Sequence, residues 1–247
     1  MRDDLGADVP LQAPATRIVS LVPSLTEAIA ATAPDRLVGA TDWCTHPADL
    51  AVARVRGTKN PDLAAVRAVS PDLVVANMEE NRELDVRRLR DAGVAVWVTR
   101  IETVAESLES MSRLLATALD VPDPDWLVAA RTLWGRPSPR RLSVAVPIWR
   151  DPWMVVGSPT YTDDLLATAG LVNVLADRDG RYPTVTPDEI DRAGADLVLL
   201  PDEPYVFTAD DGPEALRTPT RLVSGRLLTW YGPAMVEAHA ALANLQT

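Results

Sequence analysis

The chain has 247 residues, of which 47% are hydrophobic, and its net charge at pH 7 is −11, from 24 Lys and Arg against 35 Asp and Glu. This length is enough for one large domain or two small ones with buried cores. The negative charge argues against nucleic-acid binding, which needs a basic face, and against binding to an anionic membrane surface.

The start of the chain contains three Asp in its first eight residues and no apolar segment, so it does not resemble a secretory signal. No apolar run approaches the length that spans a bilayer, and we expect no membrane insertion. The single cysteine, Cys44, excludes an internal disulfide and fits a reducing compartment. We therefore expect a cytoplasmic protein, unless an export signal lies upstream.

The first half of the chain predicts short strands that alternate with helices. Ser24 is a candidate cap for the first helix, with Glu27 at capping-box spacing. The predicted strands are residues 17–22, 36–40 and 94–98, and the predicted helices are residues 23–31, a segment that ends at Arg90, and 104–119.

The second half continues the same alternation. Its predicted strands are residues 141–146 and 226–229, and its predicted helices are residues 161–169 and 234–244. Short βα units of this kind imply parallel sheets with right-handed crossovers. Ligands of such sheets bind beyond the carboxyl ends of the strands.

One sequence pattern occurs twice, in residues 60–76 and 186–200. In each copy Pro-Asp begins a helix, and Asp-Leu-Val begins a buried strand. A helix lies between the copies; Asp123 or Asp125 can cap its start, and Gly135 with Pro137 ends it.

We predict an α/β protein with two small parallel-sheet lobes joined by this single helix, and with a ligand cleft between the lobes. The predicted boundaries are residues 1–122 for the N-terminal lobe, 123–139 for the connecting helix and 140–247 for the C-terminal lobe. The alternative is a single domain in which this helix is one more packing helix.

Aromatic residues suggest a large and flat ligand. The chain has one Phe but seven Trp and four Tyr, and the last two types suit surfaces that are both apolar and wet. The alternative is that each aromatic side chain packs against the loop in which it lies and contacts no ligand. Eight aromatic residues fall in loops or at element ends, most of them just after predicted strands: Trp43, Trp149, Trp153, Tyr182, Tyr205, Phe207, Trp230 and Tyr231.

Several motifs of catalysis and nucleotide binding are missing. The chain has no Gly-x-Gly-x-x-Gly after its first strand, no Walker loop and no Gly-x-Ser-x-Gly elbow. Its two histidines, His46 and His239, permit few Ser-His or metal constellations. Nothing in the sequence requires an enzyme, and we expect none.

Several segments together resemble the helical-backbone metal receptor superfamily, also called class III substrate-binding proteins. The best-known members are periplasmic cobalamin- and ferri-siderophore-binding proteins. The resemblance extends from about Arg17 to Asn244. The segments that carry it are residues 17–27, 57–61, 71–75, 77–82, 149–154 and 229–232.

The resemblance implies two α/β lobes joined by one helix, with a metal chelate held between them by aromatic side chains. The implied ligand is cobalamin or a related corrinoid. The implied ligand-binding residues are Trp43, Asn77 and Glu80 in the first lobe, and Trp149, Trp153, Tyr182, Tyr205 and Trp230 in the second.

Other ligands and partners stay open at this point. Cys44 and His46 are candidate metal ligands, which would suit haem, a ferri-siderophore or a transition metal ion. An enzyme that reuses the cleft is a further alternative. If the chain is exported, the resemblance implies an ABC permease as partner, with Glu83 and Glu203 as candidate docking residues.

Overall fold

The computed structural model describes residues 1–136, 138–139 and 142–246. Its α-helices are α1 (Pro23–Thr32), α2 (Leu63–Ala68), α3 (Glu83–Asp91), α4 (Val104–Leu119), α5 (Asp125–Trp134), α6 (Tyr161–Thr168), α7 (Pro187–Arg192), α8 (Arg226–Thr229) and α9 (Ala234–Ala243). No described helix has both the length and the apolar composition of a membrane span.

The strands are short. They are β1 (Ile18–Ser20), β2 (Leu37–Ala40), β3 (Ala53–Arg54), β4 (Arg56–Gly57), β5 (Asn60–Pro61), β6 (Leu73–Asn77), β7 (Val96–Thr99), β8 (Leu142–Ala145), β9 (Pro147–Trp149), β10 (Met154–Val155), β11 (Leu171–Asn173), β12 (Leu197–Pro201) and β13 (Thr220–Val223).

The chain divides into two compact units. The first unit consists of Met1–Ile101, Ala105–Ala130 and Tyr231–Pro233, and the second of Glu102–Val104, Arg131–Trp230 and Ala234–Thr247. Helix α5 starts in the first unit and ends in the second. The lobe boundaries that the sequence predicts stay predictions.

Each unit contains its own parallel sheet. The first has five strands in the order β3-β2-β1-β6-β7, and the second has four in the order β11-β8-β12-β13. All neighbouring strands in both sheets run parallel. The predicted α/β class with two parallel sheets is therefore confirmed.

Apolar side chains of the strands and helices form a separate core in each unit. In the first unit Val74 and Ala76 of β6 are fully buried, and in the second Val198 and Leu200 of β12 are. Both strands read as continuous apolar runs because helices and loops cover both faces of a parallel sheet.

The repeated aspartate before each of these strands makes the same contact in both units. Asp72 accepts hydrogen bonds from the backbone N–H groups of Thr16 and Arg17, at 2.8 and 3.0 Å, just before β1. Asp196 accepts one from the N–H of Ser143 in β8, at 2.8 Å. The Asp-Leu-Val pattern thus fixes the amino end of the neighbouring strand.

The two copies differ at the start of their helices. In the first, Asp62 is the N-cap and accepts from Ala64 and Ala65, while Pro61 belongs to β5. In the second, Thr186 is the N-cap and Pro187 lies in the first turn. The prediction that Pro-Asp begins both helices therefore holds only for the second copy.

The predicted cap of α1 is wrong. Val22 occupies the N-cap position without a side-chain hydrogen bond, and Ser24 already lies inside the helix. Pro23 supplies the first turn instead, because its fixed φ suits that position and its missing N–H costs nothing there.

The predicted strand at residues 226–229 is also wrong, since this segment is the helix α8. The carbonyl of Gly225 accepts the N–H groups of Leu228 and Thr229 at 2.9 Å. A run of two leucines is too short for its periodicity to distinguish a strand from a helical turn. The last strand among the described residues is β13, which begins six residues before the start of α8.

The helix that connects the predicted lobes begins at Asp125 and ends at Trp134, just before Gly135. Asp123 accepts a hydrogen bond from the Ser112 hydroxyl at 2.5 Å. The predicted roles of Pro137 and of the first strand residue, Arg141, lie outside the described residues.

Candidate functional site

Trp43 lies in the loop after β2, and 66% of its surface is exposed. A Cβ atom at Gly57 would lie 3.3 Å from the indole nitrogen of Trp43 and 2.4 Å from Oδ1 of Asn60. Glycine therefore allows the β4–β5 hairpin to approach the indole closely. The result is an exposed ring beside the carboxyl end of the first sheet.

Asn77, at the end of β6, organises the loop that follows it. Its Nδ2 donates to the carbonyl and hydroxyl oxygens of Thr99, at 3.3 and 3.1 Å. Its Oδ1 accepts the N–H groups of Glu79 and Glu80, at 2.8 and 3.2 Å. The side chain is buried, so its amide holds the loop in place.

Glu80 brings a partly buried carboxyl group to the same loop. Burial raises the pKa of this carboxyl, and the positive charge of Lys59 partly opposes that rise. Burial and the Glu80 charge raise the pKa of the Tyr231 hydroxyl, and the side chains of Ser24 and Thr99 partly oppose that rise. Tyr231 therefore stays a neutral phenol beneath the loop.

Cys44 is fully buried in the first unit. Its sulfur accepts a hydrogen bond from the Thr26 hydroxyl at 2.9 Å and lies 3.1 Å from the Thr41 hydroxyl. Burial raises the pKa of the thiol. This environment disfavours the thiolate, which is the form that binds metals.

His46, in contrast, is exposed. Its Nδ1 lies 3.2 Å from the Thr45 hydroxyl. Among the described residues, no group of three or more His, Cys, Asp or Glu is arranged to hold a metal ion. The predicted metal-binding roles of Cys44 and His46 stay predictions.

In the second unit, four aromatic rings form a connected cluster. Trp149 and Tyr205 meet edge to face at 5.7 Å between ring centroids, and Tyr205 lies 4.7 Å from Phe207. Phe207 in turn stacks on Trp153 at 5.7 Å. Trp153 is buried at the inner end of the cluster, whereas Trp149 is 44% exposed at its outer end.

A polar network supports the outer end of this cluster. The Tyr205 hydroxyl donates to Asp211 Oδ2 at 2.6 Å, and Arg150 also pairs with Asp211. Arg150 contacts Glu214 at 2.5 Å and lies over the ring of Trp153, 5.5 Å from its centroid. Hydrogen bonding to Asp211 raises the pKa of the Tyr205 hydroxyl.

The two remaining predicted residues of the second unit lie elsewhere. Trp230 is buried, and its carbonyl accepts a hydrogen bond from the Tyr161 hydroxyl at 3.4 Å. The guanidinium of Arg226 lies 6.0 Å from the centre of its ring. Tyr182 is half-buried in the loop that precedes α7.

The structure thus brings Trp149, Trp153 and Tyr205 together in one unit, and Asn77 and Glu80 in the other. The predicted ligand-binding set omitted Arg150 and Asp211, although Arg150 lies between two predicted tryptophans. Asp211 is 61 positions away from Arg150 in the sequence, so no local pattern indicates their pairing.

No protein-family model matches the chain. A vitamin B12-binding protein of Vibrio cholerae is 25% identical over 211 residues, covering 80% of this chain and 71% of the relative. An uncharacterised ABC transporter substrate-binding lipoprotein of Bacillus subtilis is 25% identical over 218 residues, covering 81% and 68%.

Solved structures share the fold. The periplasmic vitamin B12-binding protein of Vibrio cholerae has a TM-score of 0.77 at 19% identity, covering 94% of this chain and 96% of that one. A periplasmic haem-binding protein of Pseudomonas aeruginosa has a TM-score of 0.78 at 22% identity, covering 94% and 92%. The resemblance to class III substrate-binding proteins is therefore confirmed.

The expected cytoplasmic location is wrong. The relatives include a substrate-binding lipoprotein and periplasmic binding proteins, not cytoplasmic ones. The reasoning from the first residues and from the single cysteine failed because neither feature determines the compartment.

Proposed function

We propose that this chain is a non-enzymatic binding protein for a metal chelate, and that the chelate is cobalamin or a related corrinoid. Relatives named as vitamin B12-binding proteins support the choice of ligand. The inter-lobe cleft expected from the sequence stays a prediction.

The observation that carries this proposal is the exposed indole of Trp149. A tryptophan ring has a large apolar face and a polar N–H, which suits contact with a flat ligand at a wet surface, and here Tyr205 holds the ring edge to face. Phe207 and Trp153 anchor Tyr205 from the core side. The ring is thus fixed in place for stacking on a flat, partly apolar ligand.

The first unit contributes in a similar way under this proposal. Trp43 is the exposed ring, and Glu80 is the polar group in the adjoining loop. Asn77 and Trp153 would act indirectly, because the first holds the loop backbone and the second lies in the core. Tyr182 and Trp230 stay proposed contacts of the second unit.

Haem or a ferri-siderophore is the second candidate ligand, since solved haem-binding proteins share this fold. Haem iron needs an axial ligand from the protein. Exposed His46 is the candidate for that role, whereas the enclosed thiol of Cys44 is not suited to it.

We further propose that the chain delivers its ligand to an ABC permease, as the name of the Bacillus relative suggests. Glu83 begins α3 and is exposed, as a docking residue must be. Glu203 is half-buried against Gly225: a Cβ atom added to Gly225 would lie 2.4 Å from Cγ of Glu203. Glu83 is thus the better placed of the two candidates.

The experiment is a fluorescence titration with cyanocobalamin. We expect quenching in the parent protein, and we expect Trp149→Ala to lose about 1–3 kcal/mol of binding, or about 5- to 150-fold in affinity. Trp126→Phe is the control, because this ring lies on α5 and its indole N–H donates to Thr32.

Two results would contradict the proposal. One is the absence of any binding of cyanocobalamin to the parent protein. The other is an equal loss of affinity in the Trp149 and Trp126 variants, which would mean that the effect does not arise at the exposed ring.

A further inference from the structure

The Tyr205 hydroxyl beside Trp149 is already engaged within the second unit. The Tyr205 hydroxyl gives its proton to Asp211 at 2.6 Å. Its oxygen therefore has only acceptor capacity left for a ligand. A ring that stacks on Trp149 would meet Tyr205 as an acceptor, not as a donor.

Arg150 pairs with carboxylates in the same place. Its Nη1 pairs with both Asp211 and Glu214, and its Nε lies 3.8 Å from Asp151. Its side chain is only 22% exposed, against 40% for Asp211, 48% for Glu214 and 88% for Asp151. One guanidinium with three carboxylates gives +1 − 3 = −2, and the carboxylates are the more exposed groups.

We propose, on the basis of the proposed function, that the surface around Trp149 selects a chelate whose periphery donates hydrogen bonds, and that Asp211 is a specificity-determining residue. Carboxamide side chains of a corrinoid fit this surface. A carboxylate periphery, such as the propionates of haem, does not.

The selection has two physical causes. An amide N–H that donates to a carboxylate or to the Tyr205 oxygen forms a favourable bond, and charge assistance strengthens the first type. A ligand carboxylate would instead lie near an excess of negative charge. Like charges brought together, and acceptors that face acceptors, reject the wrong ligand.

The test compares two corrinoids that differ in their periphery. Cobinamide carries carboxamide side chains, and cobyrinic acid carries carboxylates on the same ring. We expect the parent protein to bind cobinamide at least about tenfold more tightly than cobyrinic acid by competition with cyanocobalamin. Because salt screens exposed charges, this preference should shrink as the salt concentration rises from about 0.05 M to about 0.5 M.

Asp211→Asn tests the residue. We expect this variant to reduce the preference to about threefold or less, because one negative charge is lost and an amide donor is gained. Asp210→Asn makes the same charge change at the adjacent exposed position and should keep the parent's preference. Circular dichroism shows whether the variants fold. If Asp211→Asn does not fold, the salt dependence of the parent protein's preference for cobinamide over cobyrinic acid is the test.

The outcomes separate the two proposals. If cobinamide and cobyrinic acid both bind with equal affinity, the inference is overturned and the proposed function stands. It is also overturned if Asp211→Asn and Asp210→Asn change the preference equally. If no corrinoid binds, the proposed function fails and the inference fails with it.

Discussion

Burial separates the two residues that the sequence suggests as metal ligands. Cys44 is enclosed between Thr26 and Thr41, while His46 lies in the open part of the same loop. The sequence offers no reason to prefer either residue as a ligand. In the structure only His46 is exposed, so Cys44 could contact a ligand only if the fold opened.

We expect Cys44→Ala to bind aquocobalamin with the same visible spectrum and affinity as the parent protein. The loss of the sulfur should cost about 1–2 kcal/mol of unfolding free energy, because a small cavity replaces it. Absorbance titration and urea unfolding measure the two effects. His46→Ala is the comparison; a spectral change in Cys44→Ala alone would refute this expectation.

At the scale of elements, the N-terminal segment is part of the first unit's structure. The Asp3 carboxylate is fully buried and accepts from Arg90 at 2.6 Å and from the N–H of Val98 in β7 at 3.3 Å. Asp4 pairs with Arg113 of α4. These contacts join the segment to two helices, α3 and α4, and to one strand, β7, all far from it in the sequence.

Asp3→Ala should therefore lower the unfolding free energy by about 2–4 kcal/mol, since it leaves buried donors without an acceptor. Asp8→Ala is the matched control: it removes an exposed pair with Arg2 and should cost less than about 0.5 kcal/mol. Urea unfolding followed by circular dichroism compares the two. Equal losses would mean that the burial of Asp3 has no consequence.

The capping box of α7 predicts a dependence on pH. The N–H and hydroxyl of Thr186, followed by Arg178, lower the pKa of Glu189 below its ordinary value of 4.5. A lowered pKa in the folded state stabilises the protein above the unfolded value, and this stability is lost as the pH falls through the folded value.

The difference in unfolding free energy between the parent protein and Glu189→Gln should therefore be largest above about pH 5. This difference should become smaller as the pH falls below 4.5. Thr186→Ala should cost about 1 kcal/mol at neutral pH. Urea midpoints measured from neutral to acidic pH provide the test. Glu109→Gln, at an exposed position of α4, is the control. If the stability difference between the parent protein and Glu189→Gln grows as the pH falls, the prediction is contradicted.

Elements that the sequence predicts well are those with a long or strongly biased pattern. The apolar runs of β6 and β12 and the amphipathic α4 lie where expected. The three-residue strand β11 was not predicted, and residues 226–229 were misassigned, because so few residues carry no readable period.

The candidate site follows the same rule. Trp149 and Tyr205 are predictable because each lies shortly after the carboxyl end of a parallel strand, β8 or β12, and these ends meet at one edge of the sheet. The pairing of Asp211 with Tyr205 and Arg150 is not predictable, since it depends on where a loop side chain points in the folded unit.

At the scale of the whole molecule, the segment Tyr231–Pro233 belongs to the first unit although its neighbours in the chain belong to the second. Tyr231 is buried, and an added Cβ at Gly232 would touch Ala28 and Ser24 of α1 at 3.4 Å. A late part of the chain thus completes a unit whose other residues all precede Arg131.

We expect Tyr231→Ala to open the first unit, at a cost of about 3–5 kcal/mol, because it empties a large buried site. Cys44 is the only cysteine of the chain and is buried in that unit, so the rate at which a thiol reagent labels it reports the opening. Labelling should be much faster in Tyr231→Ala than in the parent. Tyr231→Phe keeps the ring and should label at nearly the parent's rate; equal rates in all three proteins would contradict the expectation.

This arrangement also constrains the order of events while the protein is made. Domains generally fold as units from the N-terminal end as the ribosome releases them. Here the ribosome must first synthesise all of Arg131–Trp230 before Tyr231 exists to fill its place against α1. Until then the place that Tyr231 fills in the first unit stays empty, so we expect the nascent unit to reach its full stability only after that point.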